Sequence, residues 1–440
     1  MLNKPSRIQL IEIGPGRGTL ICDILRSFMG IKGIGNDFLN ALTSHQLDAQ
    51  GIHLVEVSES LRLHQQESLS TLLKSINSET SHFHFIPWKS KAQRQREIVD
   101  IIKPKLIGKR EGDVVEAIDP TLLSDSNKDS KFYASPKITV QWHDNVSSVP
   151  TKSDGQPVPT FIICQEILDA LPVHVFQKTQ EGWRERLVDI AVKETKSDIS
   201  FTSMETNDTH ISRSLSQYST IEDGKDLNLY TKGKRPRFRF VLAPDKTPAL
   251  TALLNVNNNG LVDDLSNPKL DSAPEGSIIE VCPEAMILVQ DIALRIESCT
   301  GAALIIDYGD EGSSDSLRAF NMHKQVSVLS SPGIVDVTAD VDFKAIREAV
   351  NFGLESLWNS KTTERHPMAF GPITQAKFLA SMGAMERSII LIENEKTSDE
   401  QAEELYNALE RLVSPEQMGE RYKVLAIARK KDGIFSPPGF

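Results

Sequence analysis

The sequence predicts an α/β fold: a mostly parallel sheet of about seven strands with helices on both faces, the last strand antiparallel, and one inserted subdomain. Three observations carry the prediction. Strand-like apolar runs recur at Ile8–Ile13, Ile52–Ser58, Lys137–Asn145, Pro159–Cys164, Gly301–Gly309, Leu354–Trp358 and Tyr422–Ala428, several of them apolar on both faces as buried parallel strands are. Helical patterns stand between them. A polar stretch from Gln177 to about Ser277 breaks the alternation, so the core is expected in two parts, 1–176 and 278–440, around an inserted 177–277 substrate or partner subdomain.

The first run ends in Glu12-Ile13-Gly14-Pro15-Gly16-Arg17-Gly18 and resumes with Leu20, Ile21, Ile24, Leu25 and Phe28 at helical spacing. This is strand, tight turn, helix. Glycines suit a turn of unusual φ and ψ that a ligand approaches closely, and the helix N-terminus beyond it favours an anionic group. A dinucleotide fingerprint needs G-x-G-x-x-G, whereas Thr19 stands where the third glycine belongs. Glu12 crowds a pyrophosphate but suits the ammonium of an amino acid. Acid-x-Gly-x-Gly-x-Gly resembles the first motif of class I S-adenosylmethionine (SAM) methyltransferases, against the alternative of a glycine turn that merely closes a βα unit.

Asn36–Ala49 reads as a second helix, and the second strand ends at Glu56. That carboxylate either accepts two ribose hydroxyls of a nucleoside or caps the helix predicted over Ser58–Leu73. Residues 89–136 are polar and read as loop. In the third strand, Trp142 or Asp144 either lines an adenine pocket or belongs to the core and its rim. The fourth strand runs into Gln165, Glu166 and Asp169, which either face whatever meets the cofactor or serve as a solvated acid and a helix cap. Short β-like pieces at Arg184–Val192 and Arg237–Leu242 follow. Pro283 opens a helix to about Ser298, and Asp307 ends the fifth strand, facing substrate or holding the turn before Gly309. Val341–Val350 and Ser398–Leu412 are amphipathic helices, and Gly371–Met382 reads as loop then helix.

Composition narrows the functional class. The chain has 440 residues, 39% hydrophobic and 25% charged, and no apolar run approaches the roughly 20 residues of a membrane span. A net charge of −11 argues against general nucleic-acid binding and is compatible with a cationic substrate. Cys22, Cys164, Cys282 and Cys299 show neither disulfide nor metal spacing and read as reduced core thiols, and no metal site is expected.

Taken with Val55-Glu56-Val57-Ser58, the run Glu166-x-x-Asp169-Ala170-Leu171-Pro172-Val173 and Asp307-Tyr308-Gly309 resemble the MidA-like family of mitochondrial complex I assembly methyltransferases. Glu280-Val281-Cys282-Pro283, Thr338-Ala339-Asp340-Val341-Asp342-Phe343, Gly371-Pro372-Ile373-Thr374-Gln375 and Pro415-x-x-Met418-Gly419-Glu420-Arg421-Tyr422 follow in family order. The resemblance implies a class I methyltransferase-like Rossmann sheet and a SAM-dependent protein arginine methyltransferase in the mitochondrion. By the same resemblance it symmetrically dimethylates an arginine of a complex I core subunit. Glu12, Gly14, Gly16, Gly18, Glu56 and Asp144 are then the expected cofactor residues, with Glu166 and Asp169 as the catalytic carboxylates. A non-catalytic assembly factor and a nicotinamide oxidoreductase are the other classes. The chain departs from the family pattern at Gln165, where the family has Asn, and in longer polar stretches near 103–136 and 195–235. Met1–Arg7 alone precedes the first strand, too short for a targeting peptide and without the family's covering segment, so an open pocket of poor SAM affinity is expected.

Overall fold

The computed structural model describes residues 5–30, 34–44, 48–75, 83–85, 137–191, 237–254, 270, 272–312, 315–351, 366–429 and 436–440. The chain divides into two compact units, one from Met1–Ile167, Leu288–Ile306 and Arg347–Phe440, the other from Leu168–Ile287 and Asp307–Ile346.

The first unit is built on seven long strands: β1 (Gln9–Ile13), β2 (Gly51–Val55), β3 (Lys137–His143), β4 (Thr160–Gln165), β5 (Gly301–Asp310, its last four residues in the second unit), β6 (Pro367–Thr374) and β7 (Tyr422–Arg429). Their order across the sheet is β6-β7-β5-β4-β1-β2-β3. The pairs β1–β2, β1–β4, β4–β5 and β2–β3 are parallel, and β6–β7 is antiparallel. Every residue of β1 and β2 is buried, as strands covered on both faces must be. Helices α1 (Thr19–Gly30), α2 (Ile34–Leu42) and α3 (Glu59–Ser75) pack Ile21, Leu25, Leu42, Leu69 and Leu72 against Leu10, Ile52, Leu54 and Val140. Each such side chain contributes roughly 1.5–3 kcal/mol by leaving water. Because β2 and β4 flank β1 on opposite sides, the order reverses at β1. The crevice beyond the carboxyl ends of β1 and β4 is therefore where such a sheet receives a ligand.

Several boundaries differ from the sequence reading. Among the described residues the sheet has ten strands, because Thr43–Ser44, Phe83–Phe85 and Val341–Asp342 add short pieces. The second helix stops at Leu42 rather than Ala49, since Thr43 and Ser44 pair with the edge of β3. Gly371–Thr374 is strand rather than loop. A register shift between Phe370 and Ile373 accommodates Gly371 and Pro372 in β6 and obscures its alternation. The expected strand at Leu354–Trp358 and the polar stretches near 103–136 and 195–235 lie outside the described residues.

The second unit contains a four-stranded antiparallel sheet in the order Arg237–Leu242, Gly182–Ala191, His174–Thr179, Ile278–Val281. Phe176, Trp183, Leu250 and Leu254 form its core. A three-stranded antiparallel piece spans Arg318–Asn321, Lys324–Val326 and Asp336–Thr338. Gly309 pairs in parallel with Val341, and a Cβ at Gly309 would stand 2.1 Å from the Val341 carbonyl oxygen, so only glycine fits. The four cysteines are free thiols, Cys22, Cys164 and Cys299 buried and Cys282 partly so. No helix among the described residues is long and apolar enough to cross a membrane.

Candidate cofactor site

The turn from β1 to α1 holds Gly14, Gly16 and Gly18 at φ of 67°, 52° and 77°, all in the left-handed region that disfavours other residues. Each glycine answers to different surroundings. A Cβ on Gly14 would come within 2.6 Å of Ile167, just past β4, and one on Gly18 within 3.3 Å of Gln65 on α3. Among the described residues, a Cβ on Gly16 would meet nothing within 4 Å. Gly14 and Gly18 thus let neighbouring elements close in, while Gly16 presents bare backbone to open space. The Gly14 N–H donates to the Val55 carbonyl at 3.0 Å, which ties the turn to the end of β2.

Glu12 lies inside the sheet just before this turn, 4% exposed. Burial raises its pKa to about 7, partly offset by the backbone N–H of Ile21 in the first turn of α1. Its Oε2 is buried with no hydrogen-bond partner among the described residues. A buried carboxylate oxygen without a partner is costly unless a ligand supplies one.

At the end of β2 the Glu56 carboxylate is held from two sides. Its Oε1 accepts from the Ser58 N–H at 2.8 Å and its Oε2 from the Gln65 side-chain amide at 3.3 Å. Ser58 itself caps α3, its hydroxyl accepting from the Leu61 N–H at 3.4 Å. The Leu61 N–H of α3 is thus held by Ser58, two residues after the acid. Arg62, buried, donates through Nε to the Glu56 carbonyl at 2.6 Å, and through Nη2 to the same carbonyl, to the His143 carbonyl at 3.0 Å and to Asp144 Oδ1 at 2.8 Å. The expected adenine-side residue Asp144 is thus paired with Arg62 and stays 45% exposed at its side chain. Trp142 donates its indole N–H to Gln65 Oε1 at 2.8 Å.

Glu12, the three glycines, Glu56 and Asp144 all belong to the first unit and meet at the carboxyl ends of β1, β2 and β3. Sequence reasoning missed Arg62 and Gln65. The available signal was their place on α3: Gln65 is four residues from both Leu61 and Leu69, a polar side chain in the middle of an apolar stripe.

The two proposed catalytic carboxylates fall on either side of the unit boundary. Glu166 follows β4 within the first unit, exposed, with its N–H donating to the Ile306 carbonyl at 3.0 Å. Its φ of 49° is unusual for a residue with a side chain, and such conformations gather at functional sites. Asp169 belongs to the second unit, 7% exposed, and accepts from the Tyr308 hydroxyl. Asp307 is fully buried there. Its Oδ2 accepts from the Leu168 N–H at 2.9 Å and the Asp169 N–H at 3.4 Å, and its Oδ1 from the Tyr308 N–H at 2.9 Å. Burial and the charge of Asp169 raise its pKa to about 8. Of the two roles the sequence left open for Asp307, its hydrogen bonds match the one in the turn.

The residues of the first unit fit S-adenosylmethionine on two observations: the unpartnered oxygen of Glu12 suits an ammonium, and the bare backbone at Gly16 leaves room for close approach. A family model described as "Putative S-adenosyl-L-methionine-dependent methyltransferase" matches residues 1–360. Two relatives, both named protein arginine methyltransferase NDUFAF7, mitochondrial, come from Xenopus tropicalis and Bos taurus. Each is 30% identical over 426 residues, 96% of this chain and 69% and 67% of theirs. A solved structure from Burkholderia thailandensis, bound to S-adenosyl-homocysteine, shares the fold at a TM-score of 0.53 and 20% identity, covering 99% of this chain and 74% of that one.

Proposed function

The chain belongs to this S-adenosyl-L-methionine-dependent methyltransferase family, and on that premise we propose that it is a mitochondrial protein arginine N-methyltransferase. The substrate we infer is an arginine of a respiratory complex I core subunit, symmetrically dimethylated during assembly. The observation that carries the arginine reading is the similarity, along 96% of the chain, to relatives that bear that name.

The cofactor supplies an electrophilic methyl group on a positively charged sulfur. For its part the protein offers Glu12 to the ammonium, the Gly14–Gly18 backbone to the amino-acid end, Glu56 to the ribose hydroxyls, and the Asp144 side of β3 to the adenine. An arginine side chain, with a pKa above ~12, is a poor nucleophile. Carboxylates that grip the guanidinium through paired hydrogen bonds orient it and offset the charge it carries into the reaction. Glu166 and Asp169 are the carboxylates we assign to that grip, and the Tyr308 hydroxyl supports the reading by already orienting Asp169.

The test is incubation of the full chain with methyl-labelled SAM and an arginine-bearing complex I core subunit, followed by mass spectrometry of the methylated arginine. Label on that arginine is the expected result. Glu166→Gln and Asp169→Asn should each keep S-adenosylhomocysteine affinity within about twofold and lose most methyl transfer, at least ~100-fold in kcat. Tight cofactor binding with no label on any arginine overturns the catalytic reading in favour of an assembly factor that keeps the fold.

A further inference from the structure

Gln65 is fully buried and divides its whole amide among three elements. Its Nε2 donates to the Gly16 carbonyl at 2.7 Å and to Glu56 Oε2 at 3.3 Å, while its Oε1 accepts from the Trp142 indole N–H at 2.8 Å. Its Cα and Cγ also lie 3.3 Å from the place a Cβ on Gly18 would occupy. The turn after β1, the acid after β2 and the aromatic ring on β3 thus share one side chain.

We propose that Gln65 is the positioning residue of the cofactor site, setting the glycine turn and the Glu56 carboxylate in one fixed relation. The inference rests on Glu56 as the ribose acceptor and deepens that reading. The physical reason lies in the geometry of each partner. Gly16 holds a backbone conformation with little steric preference of its own, so the direction of its carbonyl is set from outside. Held by Gln65, that carbonyl points toward α3, and across the planar trans peptide the Arg17 N–H points away from Gln65. Glu56, gripped at one oxygen by the Ser58 N–H and at the other by Gln65, keeps its remaining lone pairs in one direction. A ligand that needs both the turn and the acid then binds without ordering either first, which is the gain of preorganisation. Gln65 need not touch the ligand to do this.

Two substitutions separate this role from simple packing. Gln65→Leu keeps the volume and leaves the Gly16 carbonyl, Glu56 Oε2 and the Trp142 N–H without their partner. Gln65→Glu keeps the shape and the acceptor for Trp142, but turns the donor into a like charge beside Glu56. Calorimetric titration with S-adenosylhomocysteine should show at least a tenfold loss for Gln65→Leu and a larger one for Gln65→Glu at pH 8. The ratio of Gln65→Glu affinity to wild-type affinity should recover as pH falls toward 6, because the protonated carboxyl donates again. A packing role predicts no such recovery, and this isosteric variant keeps the proposal testable where the leucine variant unfolds.

A double-mutant cycle completes the experiment. Glu56→Gln should weaken binding on its own, and combining it with Gln65→Leu should cost less than the product of the separate losses. Losses that multiply, or Gln65 variants within twofold of wild type while Glu56→Gln is weakened, overturn the role of Gln65 and leave Glu56 on the ribose. Wild-type affinity in Glu56→Gln removes the ribose reading itself, and the coupling falls with it.

Discussion

Gly16 and Glu12 carry opposite kinds of information at the same turn, one an open space and the other a buried carboxyl oxygen without a partner among the described residues. Gly16→Val places a branched side chain into that open space at a φ of 52°. The strain costs about 1–2 kcal/mol, which a domain stable by roughly 5–15 kcal/mol survives. S-adenosylhomocysteine affinity should fall by more than ~100-fold, with the far-ultraviolet circular dichroism unchanged; retained affinity would take the glycine turn out of the site. Glu12 gives a pH signature. Its pKa is raised to about 7 by burial, so its contribution to folding stability is present at low pH and is lost as pH rises from about 4.5 through about 7. A ligand ammonium reverses this preference by favouring the ionised form. Affinity for S-adenosylhomocysteine should therefore be level above about pH 8 and fall through pH 7 toward tenfold per unit below it. Glu12→Gln should abolish that dependence along with most of the binding. A wild-type profile flat from pH 8 to pH 5.5 would show that Glu12 faces no cation.

Among elements, the exit of β5 shows how one side chain can stand in for regular secondary structure. The segment after β4 has left its ladder by Leu168, and Asp307 accepts the N–H groups of Leu168, Asp169 and Tyr308. Asp307→Asn turns at least one oxygen into a donor facing donors. It should lower stability by about 1–3 kcal/mol, read as a lower denaturant midpoint for unfolding of the second unit, while S-adenosylhomocysteine affinity at the first unit stays near wild type. Unchanged stability would return Asp307 to the substrate-facing role. The same scale explains why Gly371–Thr374 of β6 reads as loop in the sequence. Gly371 and Pro372 interrupt the strand at a register shift, so its period-two pattern is too short on either side to stand out, and pairing with β7 keeps it extended.

Across the whole molecule, the net charge of −11 bears on how an arginine-bearing partner arrives. A negative field speeds encounter with a basic partner, and salt screens it over a Debye length of about 10 Å at 0.1 M. With such a substrate, kcat/KM should drop several-fold between roughly 0.05 and 0.3 M salt while kcat stays level. Salt-independent kcat/KM would mean that the acidic surface serves solubility alone.

The sequence alone determined what depends on neighbours along the chain. The glycine turn, Glu12 before it, Glu56 at a strand end and the parallel α/β class each rest on backbone conformation or hydrophobic period within a few residues, and such preferences act locally. The tertiary structure alone decided which distant residues meet. Gln65 stands 49 residues from Gly16 and 77 from Trp142, and Arg62 stands 82 from Asp144. Their hydrogen bonds exist only because the sheet order β3-β2-β1 brings three strand ends together with α3. The division that gives Glu166 to one unit and Asp169 to the other is likewise absent from the local pattern, since it reflects which distant stretches of backbone lie close to each segment rather than the residues that compose it.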